Sequence, residues 1–106
     1  MANTPKKLYQ NQLPSASGTT FYTVPASTTT IVSEVLITNR DTSARTYTLR
    51  MGTNSNTDDV FDAISCPAGD THQYGMNTVL EAADIITGFV DTSGNVNMRI
   101  SGMEIT

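Results

Sequence analysis

Polar turn residues divide the chain into short segments, and the length of these segments limits the secondary structure that the chain can form. Runs rich in Val, Ile, Thr and Tyr alternate with turns at intervals of about 8–14 residues. The one helical candidate, residues 79–86 (VLEAADII), is short for a helix and ends in two β-branched residues. A turn over residues 81–84 between two strands is therefore favoured, and the sequence predicts an all-β fold.

The pattern predicts about eight short strands in one antiparallel β-sandwich or jelly-roll-like domain. The predicted strands cover residues 7–13, 19–24, 29–39, 45–51, 60–66, 71–74, 85–90 and a last strand from residue 95. Residues 7–106 form the single domain, and the polar residues 1–6 form a flexible N-terminal arm. Periodicity carries no strand order, so a jelly roll and an immunoglobulin-like connection both stay open.

Two of these strands depart from simple alternation. Residues 29–39 carry apolar side chains on both parities, which predicts burial on both faces or a β-bulge. In the last strand Val96, Met98 and Ile100 should face inward. Beyond Gly102 the apolar parity changes, so we expect a glycine bulge there.

The charge, hydrophobicity and cysteine content limit the partners and the folding compartment that we expect for this protein. The net charge is −4, and Lys6-Lys7 is the only adjacent pair among six basic residues, which argues against nucleic-acid binding. No apolar run approaches the roughly 18 residues of a membrane helix, so we expect no membrane partner. Cys66 is the only cysteine, which excludes an intrachain disulfide and suits folding in a reducing cytoplasm as a buried thiol.

The sequence predicts a protein that is not an enzyme and needs no cofactor. His72 is the only histidine and should lie on a strand surface, and no G-x-S-x-G motif occurs. Asp58, Asp59 and Asp62 could hold a structural cation, but a solvated acidic loop is favoured because the spacing does not fit an EF-hand loop. A carboxylate pair assembled by the fold stays open; no catalytic, cofactor or metal residue is assigned.

Several segments resemble small β-sandwich structural proteins of tailed-bacteriophage virions. They are residues 21–26 (FYTVPA), 30–32 (TIV), 35–39 (VLITN), 46–50 (TYTLR), 67–71 (PAGDT), 79–86 (VLEAADII) and 96–105 (VNMRISGMEI). The resemblance spans roughly residues 19–106, and each motif consists of strand and turn residues. One departure is the turn of residues 82–84 (AAD), which has alanine where such proteins often have glycine.

The resemblance implies a structural role in the virion. It favours a capsid decoration (cement) protein on the head exterior, commonly a homotrimer, that binds the major capsid protein or other virion proteins. A tail, baseplate or fibre component contacting the host surface is the alternative, and a carbohydrate-binding module is a second one. The expected location is the virion, after assembly in the host bacterial cytoplasm. The predicted partner contacts are Lys6, Lys7, Asn54, Asn56, Asp58 and Asp59.

Overall fold

The computed structural model, which describes residues 2–106, is a sandwich of two four-stranded antiparallel sheets. Sheet I has the order β1-β8-β3-β6, and sheet II has the order β2-β7-β4-β5. The strands are β1 Asn3–Gln12, β2 Thr20–Thr23, β3 Thr29–Asn39, β4 Arg45–Gly52, β5 Asp59–Cys66, β6 Thr71–Leu80, β7 Ile85–Val90 and β8 Val96–Ile105. A 3-10 turn, Asn56–Asp58, lies in the β4–β5 connection, and no α-helix occurs within residues 2–106.

The strand order is that of a jelly roll. Every connection passes from one sheet to the other except β4 to β5, which stays within sheet II. This is the interleaved path of two Greek keys, so the choice left open by the sequence is decided for the jelly roll. The predicted all-β sandwich of eight strands is confirmed.

The core lies between the sheets and is built from alternate residues of their strands. Val35 and Ile37 of β3 and Ile100 of β8 are fully buried in sheet I. Tyr47 and Leu49 of β4 face them from sheet II and are about 1% exposed. This alternation gives each sheet one inner and one outer face, and the outer faces are where a partner could reach the protein.

Strand limits agree with the sequence where turns flank an apolar run, as at β3 and β7. The differences are largest in β1 and β6. β1 begins at Asn3 instead of residue 7, so residues 3–6 of the expected arm pair with β8. Polar residues form this strand because backbone bonds to β8 hold it at the sheet edge. Met1 lies outside the described residues. The other correction is β6, which continues from Thr71 to Leu80 although Gly75 and Asn77 are weak strand formers.

The bulge expected at Gly102 lies on the neighbouring strands instead. Register shifts leave Leu8 of β1 and Ser33 of β3 unpaired with β8, whereas β8 itself runs without a skipped residue. Gly102 keeps the inward parity, and a Cβ there would collide with the backbone oxygen of Ile31. The apolar residue after it, Met103, therefore points to the outer face of sheet I.

Candidate functional surface

The predicted contacts in the β4–β5 connection are largely occupied by bonds within the chain. Asp59 accepts from Arg50 Nε at 2.7 Å, and Asn54 Oδ1 accepts from Arg50 Nη1 at 2.9 Å and from Thr87 Oγ1 at 3.3 Å. The Asp58 carboxylate accepts from the backbone N–H of Thr53 at 2.9 Å.

The same connection leaves two predicted contacts exposed. Asn56 begins the 3-10 turn that follows Ser55, whose side chain caps it. Asn54 and Asn56 are exposed, whereas Asp59 is only 14% exposed in its side chain. The Asn54 side-chain oxygen is already bonded within the chain, which leaves Asn56 as the exposed member without a side-chain bond in the described residues.

Lys6 and Lys7 lie elsewhere, on β1 of sheet I, and they face opposite ways. Lys6 Nζ lies 3.3 Å from the Glu104 carboxylate and is thereby tied to the chain. Lys7 Nζ donates to Gln10 Oε1 at 2.9 Å and makes no ion pair within the described residues. The fold thus does not bring the six predicted contacts together, because two lie on sheet I and four lie beside sheet II.

The outer face of sheet I carries a row of four apolar side chains that crosses every strand. In register, Pro5 of β1 pairs with Met103 of β8, Met103 pairs with Ile31 of β3, and Ile31 pairs with Val79 of β6. Val79 is 59% exposed, and Ile31 and Met103 are partly exposed. We call these four residues the apolar row. Contiguous exposed apolar side chains of this kind often mark contact sites for other proteins.

Beside the apolar row, two cations share one neutral oxygen. Gln10 Oε1 accepts from Lys7 Nζ at 2.9 Å and from Arg99 Nη2 at 3.2 Å. Both cations are exposed and neither makes an ion pair in residues 2–106, whereas Lys6, Arg45 and Arg50 all do. Two open grooves flank this cluster, and Arg99 lines both of them.

The outer face of sheet II is closed by its own side chains. The Arg50 guanidinium lies 5.3 Å from the centre of the Phe89 ring and is paired with Asp59, and only 15% of its side chain is exposed. Thr48 and Thr87 on the same face are buried. On the outer face of sheet II the arginine charge is therefore paired within the chain, whereas the two cations on the outer face of sheet I have no ion pair in the described residues.

Between the sheets, His72 belongs to a cluster of ring side chains on the inner face. Its Nδ1 lies 2.7 Å from Tyr47 Oη, and the hydroxyls of Tyr47 and Tyr74 are hydrogen-bonded to each other. The expectation of a surface histidine is corrected, since its side chain is 22% exposed and faces the interior. Burial and the bond with Tyr74 raise the pKa of Tyr47, so the phenol stays neutral and joins the two sheets.

A second cluster joins the sheets near the start of β1. The Tyr22 hydroxyl is bonded to the Glu104 carboxylate and to Thr30 Oγ1, the latter at 2.8 Å. Burial and this carboxylate raise the pKa of Tyr22 to about 12. The bond from Tyr22, assisted by the Lys6 ammonium, lowers the pKa of Glu104. A donor and an acceptor so matched form a structural link between β2 and β8.

The remaining candidate chemistry does not assemble in the described residues. Cys66 is buried and its Sγ lies 3.6 Å from the Asp70 carbonyl oxygen, and burial raises the pKa of this thiol. A thiol so held is a weak nucleophile. Asp58 and Asp59 bind different partners, and residues 2–106 contain no cluster of three or more histidine, cysteine or carboxylate side chains arranged for a metal ion.

No family model matches the sequence, and a search of curated proteins finds no match. Across residues 2–106, no helix has the length and apolar character needed to cross a membrane.

The predicted partner contacts include Lys7 but neither Arg99 nor any of the four members of the apolar row. Apolar residues on both parities of β3 predict burial on both faces or a bulge; the bulge is present at Ser33, and Ile31 lies on the outer face. A bulge at Gly102 would turn Met103 inward, but β8 contains none. Val79 fell beside a predicted turn. The change of apolar parity after Gly102 was the available signal, because without a bulge it places Met103 outward.

Proposed function

We propose that this chain is a virion structural protein, a capsid decoration protein that binds the exterior of a tailed-phage head and stabilises it. The observation that carries the proposal is the contrast between the two outer faces. Sheet II covers itself, whereas sheet I exposes the apolar row on a flat face crossed by four strands. The jelly roll, a fold used in viral capsid domains, and the virion-like motifs also support this role.

The physical character of the chain suits such a role. The fold buries its core without a disulfide, as folding in a reducing cytoplasm requires, because Cys66 is a free buried thiol. Docking on a shell then adds stability by mass action, since a partner that binds only the folded form shifts folding towards it. In this proposal the protein is a homotrimer without catalytic activity, its partner is the major capsid protein, and it resides in the virion.

The test is native mass measurement followed by co-sedimentation with heads assembled without this protein. The proposal expects a trimer that pellets with the heads at a fixed number of copies per shell. A heat-denatured sample serves as the control for nonspecific trapping. A protein that stays in the supernatant with intact undecorated heads would overturn the proposal.

A tail or fibre component that contacts host glycans is the second candidate, and one groove favours it. Gln10, Gln12, Asn97 and Thr38 line the groove on the outer face of sheet I, with Leu36 at its floor. Amides and hydroxyls over an apolar floor can bond sugar hydroxyls. Retention on immobilised host-surface polysaccharide, together with failure to pellet with heads, would favour this candidate.

A further inference from the structure

We propose that the decoration protein docks through the outer face of sheet I, and that its occupant is an acidic protein surface on the capsid shell. This inference rests on the proposed function and adds the docking face and the chemistry of the partner. The argument begins from the two cations that meet at Gln10.

Lys7 and Arg99 are held close together without a counterion in the described residues. Both donate to the same amide oxygen of Gln10, at 2.9 Å and 3.2 Å, which brings two like charges side by side. The Lys7 ammonium and the Arg99 guanidinium repel each other at such range, and a carboxylate placed between them offsets that repulsion by attracting both. Both cations are exposed, so a partner can supply this carboxylate from outside.

The charges of this face run against the charge of the whole chain. The chain carries −4, yet the charged side chains along this face are the exposed Lys7 and Arg99 and the partly buried Glu34. Glu34 accepts from Gln73 Nε2 at 2.8 Å on the β6 side. It lies on the strand next to that of Arg99, with which it makes no ion pair in the described residues, and two strands away from Lys7. Two strand spacings amount to about 10 Å, close to the screening length in physiological salt. The β1–β8 half of the face is therefore positive.

The apolar row gives the partner a hydrophobic contact in addition to the two positive charges. It lies next to the paired positions Lys7 and Ser101, so apolar and basic groups form one continuous surface. The 10-residue strands β1 and β8 make the face about 33 Å long, and four strands make it about 19 Å wide. That area, about 600 Å², approaches the roughly 800 Å² that each partner buries in a standard protein interface.

Charge complementarity selects the occupant. Across an interface, a positive patch is matched by a negative one, which speeds association and excludes wrong partners. A partner that presents carboxylates next to apolar side chains satisfies both Lys7 and Arg99 and covers Ile31, Met103 and Val79. The structure thus assigns the contact to an acidic, apolar-edged surface of the shell.

The test measures the affinity of single-charge variants for heads assembled without this protein. Arg99→Gln and Lys7→Gln each remove a cation from the face, and we expect each to weaken binding by about five- to tenfold at low salt. Arg40→Gln is the matched control, because Arg40 is exposed in the β3–β4 connection and makes no ion pair within residues 2–106. The control should bind as the wild type does, and Arg99→Lys should restore most of the affinity.

The possible outcomes distinguish the proposed docking face from the proposed decoration function. If the wild type pellets with heads and Arg99→Gln binds no worse than Arg40→Gln, the docking face is wrong and the decoration role stands. If the wild type itself fails to pellet, the decoration role fails first. If Arg99→Gln lowers the native mass while head binding persists, the face joins copies of this chain, which overturns the acidic shell as occupant. Circular dichroism of each variant confirms that it is folded.

Discussion

The outer faces of the two sheets treat arginine in opposite ways. Arg50 on sheet II is paired with Asp59 at 2.7 Å, bonded to Asn54 and laid over Phe89. Arg99 on sheet I has, among residues 2–106, only the neutral oxygen of Gln10 as a side-chain partner, and it shares this oxygen with Lys7. The same residue type therefore stabilises the fold on one face and is free to act on a partner on the other. What separates the two arginines is whether the charge is already neutralised within the chain.

The largest test of this contrast is Arg50→Gln. This change removes the ion pair and the contact with Phe89 from side chains that are 15% and 14% exposed at Arg50 and Asp59. We expect the free energy of unfolding in urea to fall by about 2 kcal/mol. Arg99→Gln is the control and should change it by less than about 0.5 kcal/mol. Equal destabilisation by the two variants would break the contrast between the faces.

The hydrogen bond between Tyr22 and Glu104 allows a test of whether polar groups on the inner side of sheet I stabilise the fold, as Arg50 and Asp59 do on sheet II. Tyr22 keeps its proton to about pH 12 in the folded protein, whereas an unfolded tyrosine ionises near pH 10. Unfolding therefore releases a proton above pH 10, and stability falls as the pH rises through the window to about 12. At pH 11 this loss should reach about 1 kcal/mol.

The measurement is urea denaturation of the wild type and Tyr22→Phe between pH 9 and about pH 11. Tyr22→Phe removes this part of the alkaline loss, so the two curves of stability against pH should converge as the pH rises. Tyr47 also has a raised pKa, and because both proteins retain it, it cancels in the comparison. Parallel curves would contradict the assignment to Tyr22.

A smaller effect separates the two adjacent lysines. Lys6→Gln removes an ammonium 3.3 Å from Glu104, from a side chain that is 48% exposed, and should cost about 0.5 kcal/mol at low salt. The carboxyl pKa of Glu104, which is lowered in the folded protein, should rise in an NMR titration. Since a lowered pKa contributes stability that is lost as the pH falls through it, the variant should also lose less stability in acid. Lys7→Gln should leave this titration unchanged.

The smallest expected effect concerns Val79. Because 59% of this residue is exposed, Val79→Ser should change the free energy of unfolding by less than about 0.3 kcal/mol. It should lower the binding of a hydrophobic fluorescent dye, since it interrupts the apolar row. Val60→Ser, at a site 39% exposed on the edge of sheet II, is the matched control and should lower dye binding less. A loss of stability comparable to that of Arg50→Gln would mean that Val79 is part of the core.

The sequence predicts much of the fold but little of the candidate contact surface. The limits of β3 and β7 follow from polar turns that flank apolar runs, and the outward parity of Met103 depends only on whether β8 is bulged. The apolar row, in contrast, takes one residue from each of four strands, and it exists only because β8 lies between β1 and β3. Strand order is set by how the whole chain crosses between the sheets, which no local pattern encodes.

The turn before β7 also depends on a contact with a distant part of the chain, which a local sequence pattern does not encode. Ala83 adopts a φ of 73°, in the left-handed region that favours glycine, and its N–H donates to the Val24 carbonyl at 3.1 Å. The sequence marks the turn of residues 82–84 as one with alanine in place of the more usual glycine, without telling which alanine takes this conformation. The turn keeps this conformation because the bond to Val24 ties it to the start of the β2–β3 connection.

The strand at the free edge of sheet II has a consequence for assembly. β5 carries register shifts on both sides of Phe61, and Ala63 there has a φ of 51°. A strand so kinked offers no regular ladder to the backbone of another molecule, and β2, at the opposite edge, is only four residues long. Growth by successive strand addition is thereby blocked on this sheet. Copies that approach this sheet must therefore meet it through side chains, so each can dissociate without unravelling the sheet of its neighbour.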